Sequence, residues 1–193
     1  MRILALSGSL RVASINSALL RATAALAPSM IDVSVSGLVG RLPLFNPDLE
    51  STGPLPDAVQ ALHEEVTAAD ALLIASPEYA HGVTGAIKNT LDWLVGLPAF
   101  VDKPVAVINA SPRAHHADAA LRETLRTMSA RILESASISI PLLGSGLRDE
   151  AGMAAAPAVA QALRHAGADA RRGHAEPGRW RPGQLPRGAL KER

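Results

Sequence analysis

Cysteine is absent from this chain of 193 residues. Its absence excludes disulfide bonds, cysteine-ligated zinc sites, C-x-x-C redox pairs and cysteine nucleophiles. Long apolar runs are also missing: no uncharged stretch exceeds 13 residues, whereas a membrane-spanning helix needs about 20. Only four apolar residues lie between Arg2 and Ser7, too few for the core of a signal peptide. We therefore expect a cytoplasmic protein with no membrane contact.

An excess of charge of one sign is missing as well. There are 19 basic and 18 acidic residues, so no overall field attracts nucleic acid or a membrane. The charges are uneven, because residues 169–193 contain seven basic and three acidic side chains, which leaves residues 1–168 at a net −3. Beyond Gly167 the composition turns to Arg, Gly and Pro, and the helical period is lost. We predict one domain over 1–168 and an irregular basic tail over 169–193, with RNA or DNA contact of the tail as an alternative.

Short apolar runs bounded by Gly, Pro or Ser predict five strands. Most of these runs do not alternate with a period of two, which is typical of strands buried on both faces of a parallel sheet. The predicted strands are Arg2–Leu6, Ile31–Ser36, Ala71–Ser76, Pro104–Ala110 and Ser135–Ile140. Helix-period apolar stripes follow them, from Ile15 to Leu26, Val59 to Ala69, Ile87 to Leu94, Leu121 to Ile132 and Ala156 to Leu163.

Strand and helix thus alternate five times, which predicts an α/β fold with a doubly wound parallel sheet and helices on both faces. In the five-stranded order 2-1-3-4-5, ligands bind where the winding reverses, between strands 1 and 3. The loops after those two strands should therefore be chemically unusual. The long, proline-rich loop Leu42–Pro56 is expected to form part of a rim or contact surface.

The loop after the first strand, Ser7–Ser17, contains four hydroxyls, one guanidinium and one carboxamide and leads directly into a predicted helix. A helix N-terminus offers unpaired N–H groups and a positive dipole end, and Arg11 adds a planar cation that suits phosphate oxygens. These features predict an anion site. The alternative is that Ser14 or Asn16 only caps the helix and that Arg11 is only solvated. Neither the P-loop nor the G-x-G-x-x-G signature is present, which argues against an ATPase and a dinucleotide-binding Rossmann enzyme.

The loop after the third strand, Ser76–Asn89, contains the only tyrosine of the chain, Tyr79. Glycines beside it let a flat ring approach backbone N–H groups. The alternative is that Tyr79 is a packing residue and that Gly82 only forms a turn.

Histidines do not form a metal-binding pattern. His81 has no second histidine at ligand spacing. His115 and His116 are adjacent, so on a helix they cannot face one ion, and we expect them to face solvent. No metal site is predicted.

Both loops match the sequence patterns of one known family. The pattern G-S-x-R-x-x-S-x-N is matched at every fixed position from Gly8 to Asn16. The second pattern, P-E-Y-N-x-S-x-P-G-x-L-K-N-x-x-D-W, is matched at Pro77, Glu78, Tyr79, Gly85, Lys88, Asn89, Asp92 and Trp93. The chain therefore resembles the NADPH-dependent FMN reductase family, which includes quinone, azo-dye and chromate reductases. The resemblance covers residues 1–165, and two long motifs in the correct order are far more specific than either one alone.

The resemblance implies a flavodoxin-like fold that binds FMN non-covalently. It implies that the FMN phosphate lies on the first of the two loops and that the isoalloxazine ring lies on the second, mostly against backbone groups. The implied phosphate ligands are Ser9, Arg11, Ser14, Asn16 and Ser17. The residues implied to lie at the ring are Pro77, Glu78, Tyr79, Ala80, His81 and Gly82, with Ser111 from the loop after the fourth strand.

The activity implied by the resemblance is transfer of a hydride from NADPH or NADH to FMN, followed by delivery of two electrons to a quinone-like or other small acceptor. Because the cofactor carries this chemistry, no catalytic side chain is required. The resemblance also implies a homodimer or tetramer formed through the helical segment 84–97, with Lys88, Asp92 and Trp93 as candidate contacts.

The chain departs from the family at the ring end of the site. Ala80, Gly82 and Thr84 stand where the family has Asn, Ser and Pro, and the loop 110–118 after the fourth strand contains no glycine where the family is glycine-rich. Two other functions stay open. An electron-carrier flavodoxin is usually strongly acidic, unlike this chain. A degenerate relative would bind a phosphate ligand or a partner without redox turnover.

Overall fold

The computed structural model describes residues 1–175. Residues 176–193, and with them most of the predicted tail and its alternative role in nucleic-acid binding, lie outside the described part. The strands are β1 Arg2–Ser7, β2 Asp32–Val35, β3 Ala71–Ala75, β4 Pro104–Asn109, β5 Arg131–Ile132 and β6 Ile138–Ser139. The helices are α1 Ile15–Leu26, α2 Pro47–Ser51, α3 Asp57–Ala68, α4 Gly85–Asp92, α5 His115–Thr127, α6 Glu150–Ala155 and α7 Pro157–Ala175, with a 3₁₀ turn at Pro98–Phe100. Within residues 1–175, no helix combines the length and hydropathy that crossing a membrane requires.

All six strands are parallel. Five of them lie in the order β2-β1-β3-β4-β5, which confirms the predicted sheet, and β6 also pairs with β4. β1 lies between β2 and β3, so that Leu4 is opposite Ser34 on one side and Leu72 on the other. The winding therefore reverses between β1 and β3. Loops that follow these two strands meet at one edge of the sheet, where ligands bind in such folds.

Each central strand is buried on both faces. In β1, Leu4 and Leu6 belong to the apolar cluster covered by α3, α4 and α5, whereas Ile3 and Ala5 belong to the cluster covered by α1, α6 and α7. The same division runs through β3 and β4, which explains why the sequence lacks a period of two. Burial of one large aliphatic side chain contributes about 1.5–3 kcal/mol, so the strands that carry the loops are anchored from both sides.

The fifth strand is split into two short pieces. In place of one strand over Ser135–Ile140, β5 pairs with the start of β4 and β6 pairs with its end. Between them, Ser137 Oγ accepts from Val107 N at 3.0 Å, so a side chain replaces the carbonyl of a regular ladder. The side chains of Leu133 and Ala136 are buried, but the two residues lie in a turn and not in an extended strand. The predicted extent of this strand is therefore wrong.

Helix α5 ends earlier than its apolar stripe predicts. The stripe was expected to reach Ile132, which lies in β5 instead. Ser129 has a φ of 61°, and Ala130 N donates to Leu125 O at 2.9 Å. This is the hydrogen bond that closes a helix through a left-handed residue, a position that glycine usually takes. Serine carries no such stop signal, so the sequence alone did not reveal the end.

Helix α7 continues beyond the predicted start of the tail. Residues from Asp169 to Ala175 are helical, so the expected irregular structure from Asp169 onward is wrong for this stretch. Gly173 packs closely on the side chain of Leu133, and Arg131 Nη1 donates to Gly173 O at 2.6 Å. These tertiary contacts hold the end of the helix against the sheet, although its sequence has lost the apolar period.

The loop Leu42–Pro56 contains α2 and is bound to α4 by side chains of the second motif. Asn89 Oδ1 accepts from Phe45 N at 2.7 Å, and Asn89 Nδ2 donates to Pro43 O at 2.9 Å. Trp93 Nε1 donates to the same carbonyl at 2.9 Å, and the Trp93 side chain is fully buried. Trp93 thus supports the loop from inside and offers no surface to a second subunit, contrary to the expectation for this residue.

The loops after β1 and β3 touch at Gly8. Gly8 N donates to Ala75 O at 2.9 Å, and Thr84 Oγ1 donates to Gly8 O at 2.7 Å. A Cβ on Gly8 would lie 2.1 Å from Ser76 Oγ and 2.6 Å from Ser76 Cβ, so only glycine allows this approach. Thr84 also caps α4, because its hydroxyl accepts from Ile87 N. This contact sets the spacing of the two loops.

Beyond the contact, the β3 loop makes a tight turn at Tyr79–Gly82. The two end residues exchange backbone hydrogen bonds of 3.1 and 2.9 Å, and Ala80 and His81 between them have φ of 48° and 59°. Positive φ at both central positions is the type I′ geometry, which favours Asn-Gly. A left-handed conformation costs a residue such as alanine about 1–2 kcal/mol. Gly82 thus does close a turn, whereas Tyr79 is 57% exposed and is not a core residue.

We predict that Gly8→Ala separates the two loops. Overpacking of this kind costs about 1–3 kcal/mol, so the melting temperature should fall by about 2–12 °C. Gly37→Ala is the control, since a Cβ at Gly37 meets nothing within 4 Å. The double variant Gly8→Ala/Ser76→Gly should recover part of the loss in thermal unfolding. Equal melting temperatures for Gly8→Ala and Gly37→Ala would contradict the role of this contact.

We predict that Ala80→Gly stabilises the protein. Glycine relieves the left-handed strain of the folded state, which stabilises it by about 1–2 kcal/mol. Its greater flexibility in the unfolded chain offsets about 0.5–1 kcal/mol of this gain. Thermal unfolding should show a rise of about 1–4 °C. Ala119→Gly, on the exposed face of α5, is the matched control and should lower the melting temperature. The interpretation fails if both substitutions destabilise alike.

Candidate functional site

A cavity of about 340 Å³ opens at the carboxyl ends of β1, β3 and β4, which is within the size range of ligand pockets. Its lining residues are Ser9, Arg11, Ala13, Ser14, Ile15, Asn16, Ser76, Pro77, Glu78, Tyr79, Asn109, Ala110, Ser111, Arg113, Ala114, Leu143 and Arg148. An apolar cleft between α1, α7 and the sheet has only about 30 Å³, too little for a nucleotide. The larger cavity lies where the winding of the sheet reverses, and it is the candidate site.

The first turn of α1 forms one wall of the cavity. Ser14 is the N-cap residue, and its hydroxyl accepts from Ser17 N at 3.2 Å. Ser14 therefore caps the helix, as the alternative interpretation held, and lines the cavity as well. The exposed guanidinium of Arg11 makes no hydrogen bond or ion pair with the rest of residues 1–175. A cation and the positive end of α1 thus face the same space.

Asn16 presents an unpaired acceptor at this wall. Its side chain is 7% exposed, and Oδ1 has no hydrogen-bond partner within the described chain. A buried polar atom without a partner costs about 1–3 kcal/mol. A ligand that carries hydroxyl groups would remove this penalty.

Eight of the twelve predicted site residues line the cavity. These are Ser9, Arg11, Ser14, Asn16, Pro77, Glu78, Tyr79 and Ser111. Ser17 does not line it, because its hydroxyl is hydrogen-bonded to Ser7 Oγ at 2.8 Å. Ala80, His81 and Gly82 do not line it either, since they lie in the tight turn beyond. Direct contact with a ligand is still a prediction for all twelve residues, and the cavity lining gives these four no support.

Glu78 connects two of the loops. Its Oε2 accepts from Ala117 N at 2.8 Å, in the first turn of α5, whose N-cap residue Ala114 has no capping side chain. This hydrogen bond is the main reason that the pKa of the Glu78 carboxyl lies below its usual value, and nearby histidines lower the pKa further. The carboxylate is therefore ionised at neutral pH and occupied as a helix cap, which is not the state of a general acid.

Three histidines lie around Glu78. The rings of His81 and His116 stack with centroids 4.5 Å apart, and the His115 ring lies 4.1 Å from that of His116. All three residues are exposed, as was expected for His115 and His116, but the stacking also joins the tight turn to α5. Among residues 1–175, no cluster of side chains could hold a metal ion.

Among the lining residues from β4 onward, the sequence identified only Ser111. Asn109 Oδ1 accepts from Ser111 N at 2.9 Å, and Asn109 Nδ2 donates to Ala114 O at 3.2 Å, which holds the glycine-free loop in place. This loop brings Arg113 to the cavity, and the segment after β6 brings Arg148. Arg113 could have been found as the only Lys or Arg in the loop between β4 and α5, whereas no sequence signal marks Arg148.

The charge of the cavity favours an anionic ligand. Its lining includes three arginines, Arg11, Arg113 and Arg148, but only one acidic residue, Glu78. FMN fits this set, because its phosphate is an anion and its ribityl chain carries hydroxyls that can donate to Asn16. The residues that could hold its phosphate are those at the α1 end of the cavity, and the loop from Pro77 to Tyr79 would lie at its ring.

Proteins of several organisms match more than half of the chain. An NAD(P)H-dependent FMN reductase of Pseudomonas aeruginosa is 40% identical over 112 residues, 57% of this chain and 60% of that protein. An NADPH:quinone oxidoreductase of Arabidopsis thaliana is 43% identical over 115 residues, 56% of this chain and 57% of that protein. The quinone reductase of Escherichia coli K12 is 35% identical over 113 residues, 58% of this chain and 60% of that protein. The chain thus spans about 60% of the length of these relatives.

The fold is also similar to a solved flavoenzyme. The NAD(P)H:(acceptor) oxidoreductase of Paracoccus denitrificans superposes with a TM-score of 0.72 at 25% identity, covering 89% of this chain and 97% of that one. This likeness confirms the flavodoxin-like fold that the sequence predicted. The family model for NADPH-dependent FMN reductases matches residues 1–142, which include both motifs and all the predicted site residues. On this match over more than half of its length, the chain belongs to the NADPH-dependent FMN reductase family.

Proposed function

We propose that the chain is an NAD(P)H-dependent FMN oxidoreductase that passes two electrons to a quinone-like or other small acceptor. The observation that carries this proposal is that both family motifs lie on one cationic cavity at the point where the sheet reverses its winding. An anion site at the start of α1 and an adjacent loop of backbone groups are the two parts that a flavin nucleotide requires.

The chain contributes binding and orientation to this function. Bound FMN supplies the redox chemistry, acceptance of a hydride and release of two electrons. Ser9, Arg11 and Ser14 would hold the phosphate, and Asn16 would accept a hydrogen bond from a ribityl hydroxyl. Glu78 keeps the ring-side loop attached to α5, so that the two walls of the cavity stay at a fixed separation.

Two features support the second candidate, a degenerate relative without redox turnover. The ring-side turn is strained at Ala80 and His81, and the loop after β4 lacks the glycines of the family. The two candidates differ in one direct observation. Purified reductase should be yellow, or become so with FMN, and its flavin absorbance should bleach on addition of NADPH or NADH. Protein that stays colourless after incubation with FMN would favour the second candidate.

We also propose that the chain forms a homo-oligomer through the segment 84–97 and the loop beside it. Val95 is 66% exposed and Leu44 is 83% exposed. α2 adds Leu49 and lies against the same segment, since a Cβ on Gly96 would be 2.6 Å from Glu50 Oε1. These apolar side chains form an exposed surface that a second subunit would cover.

The variant Val95→Asp should therefore dissociate the oligomer, because a buried unpaired carboxylate destabilises an interface. Light scattering during size-exclusion chromatography measures the mass. Val101→Asp is the control, since Val101 is also exposed but lies outside this segment. An unchanged oligomer mass for Val95→Asp would show that the interface is elsewhere.

The phosphate assignment predicts that Arg11→Ala weakens FMN binding by about 10- to 150-fold, the equivalent of one charge-assisted hydrogen bond of about 1.5–3 kcal/mol. Binding of riboflavin, which lacks the phosphate, should be weak in the unaltered protein and nearly unchanged by the substitution. Titration of the apoprotein by flavin fluorescence measures both constants.

Two controls accompany this titration. Arg113→Ala should weaken FMN binding much less, although it removes a cation from the same cavity. Arg164→Ala removes an exposed cation on α7 outside the cavity and should have no effect. Equal losses for Arg11→Ala and Arg113→Ala, or an equal loss for FMN and riboflavin, would overturn the assignment.

A further inference from the structure

The cavity has more positive charge than FMN requires. A phosphate monoester carries about −1.5 to −2 at neutral pH. Arg11, together with the N-terminal dipole of α1, which is equivalent to about half a charge, supplies a counter-charge of nearly that size. Arg113 and Arg148 are left without an anionic partner.

These two guanidiniums come from segments outside the first turn of α1 and outside both motifs. Arg113 comes from the loop after β4, and Arg148 comes from the segment between β6 and α6. Both residues are exposed, and neither side chain makes a hydrogen bond or ion pair with any other of residues 1–175. The one carboxylate of the lining, Glu78, is occupied by Ala117 N. Two unpaired cations from separate loops thus face the mouth of one cavity.

The proposed reaction brings a second anionic ligand to this mouth. The cavity volume of about 340 Å³ is near the lower limit for a single ligand of drug size, so a dinucleotide cannot enter it completely beside a flavin. Its nicotinamide must reach the flavin, and its adenosine half must therefore extend to the rim. NADPH differs from NADH only by a 2′-phosphate on that half, and a phosphate monoester is a group that a guanidinium fork binds through two hydrogen bonds.

We propose that Arg113 and Arg148 bind the 2′-phosphate of NADPH and so make the enzyme selective for NADPH over NADH. This inference rests on the proposed function, because it requires a flavin in the cavity. It assigns the choice of electron donor to two residues that lie outside both sequence motifs. Selectivity then arises because each arginine contributes affinity for the 2′-phosphate of NADPH, and NADH lacks this group.

The test compares FMN-loaded unaltered protein with Arg113→Ala, Arg148→Ala and the control Arg164→Ala. Isothermal titration with adenosine 2′,5′-bisphosphate and with adenosine 5′-monophosphate measures binding without turnover. Each cavity substitution should weaken binding of the bisphosphate by about tenfold or more, the fold-change of one charge-assisted hydrogen bond. Binding of the monophosphate should change much less, and Arg164→Ala should alter neither.

Steady-state kinetics give a second readout. KM for NADPH should rise by the same factor in both cavity variants, while kcat and the KM for NADH change much less. Arg113→Lys should recover only part of the effect, since lysine keeps the charge without the planar fork.

Equal losses for the two adenosine probes, or for NADPH and NADH, would overturn the inference and would place the arginines at groups common to both donors. No loss in either variant would overturn it as well. In both cases FMN binding and reduction persist, so the proposed function stands. Protein that does not bind FMN at all would overturn the proposed function itself, and this inference with it.

Discussion

The contact at Gly8 is the constraint on which the rest of the site depends. Two parallel strands bring their carboxyl ends to the same edge of the sheet, but the loops that follow must approach closely to share one ligand. Gly8 meets Ser76 without a side chain between them, and Thr84 Oγ1 donates to Gly8 O. Thr84 stands where the family has proline, and here its hydroxyl both caps α4 and fixes the neighbouring loop. A departure from the family pattern thus has a structural role of its own.

Glu78 and Asn89 extend this arrangement to the surrounding loops. Glu78 belongs to the loop after β3 but caps α5 through Ala117 N, so this loop is attached to the helix that follows β4. Asn89 holds the long proline-rich loop through two hydrogen bonds, with the buried Trp93 beneath it. Motif residues at these three positions therefore build the scaffold around the cavity. Their presence in the motif does not by itself indicate contact with a ligand.

The cavity concentrates positive charge in a protein that is almost neutral. The formal net charge of the sequence is +1, yet three arginines and one carboxylate line the site. Low-dielectric walls strengthen such a local field, which favours nucleotides that carry several phosphates.

The sequence by itself determined the alternation of strands and helices and the two loops that carry the site, and the resemblance of its motifs to a known family implied the fold with strand order 2-1-3-4-5. These features depend on local patterns, namely apolar runs, helix caps and motif residues at fixed spacing. Only the tertiary structure decided the split of the fifth strand, where Ser137 replaces a backbone acceptor, and the helix end at Ser129, where serine takes a conformation usual for glycine. It also decided that Arg113 and Arg148 share the cavity, because residues from distant loops meet through packing that no local pattern encodes.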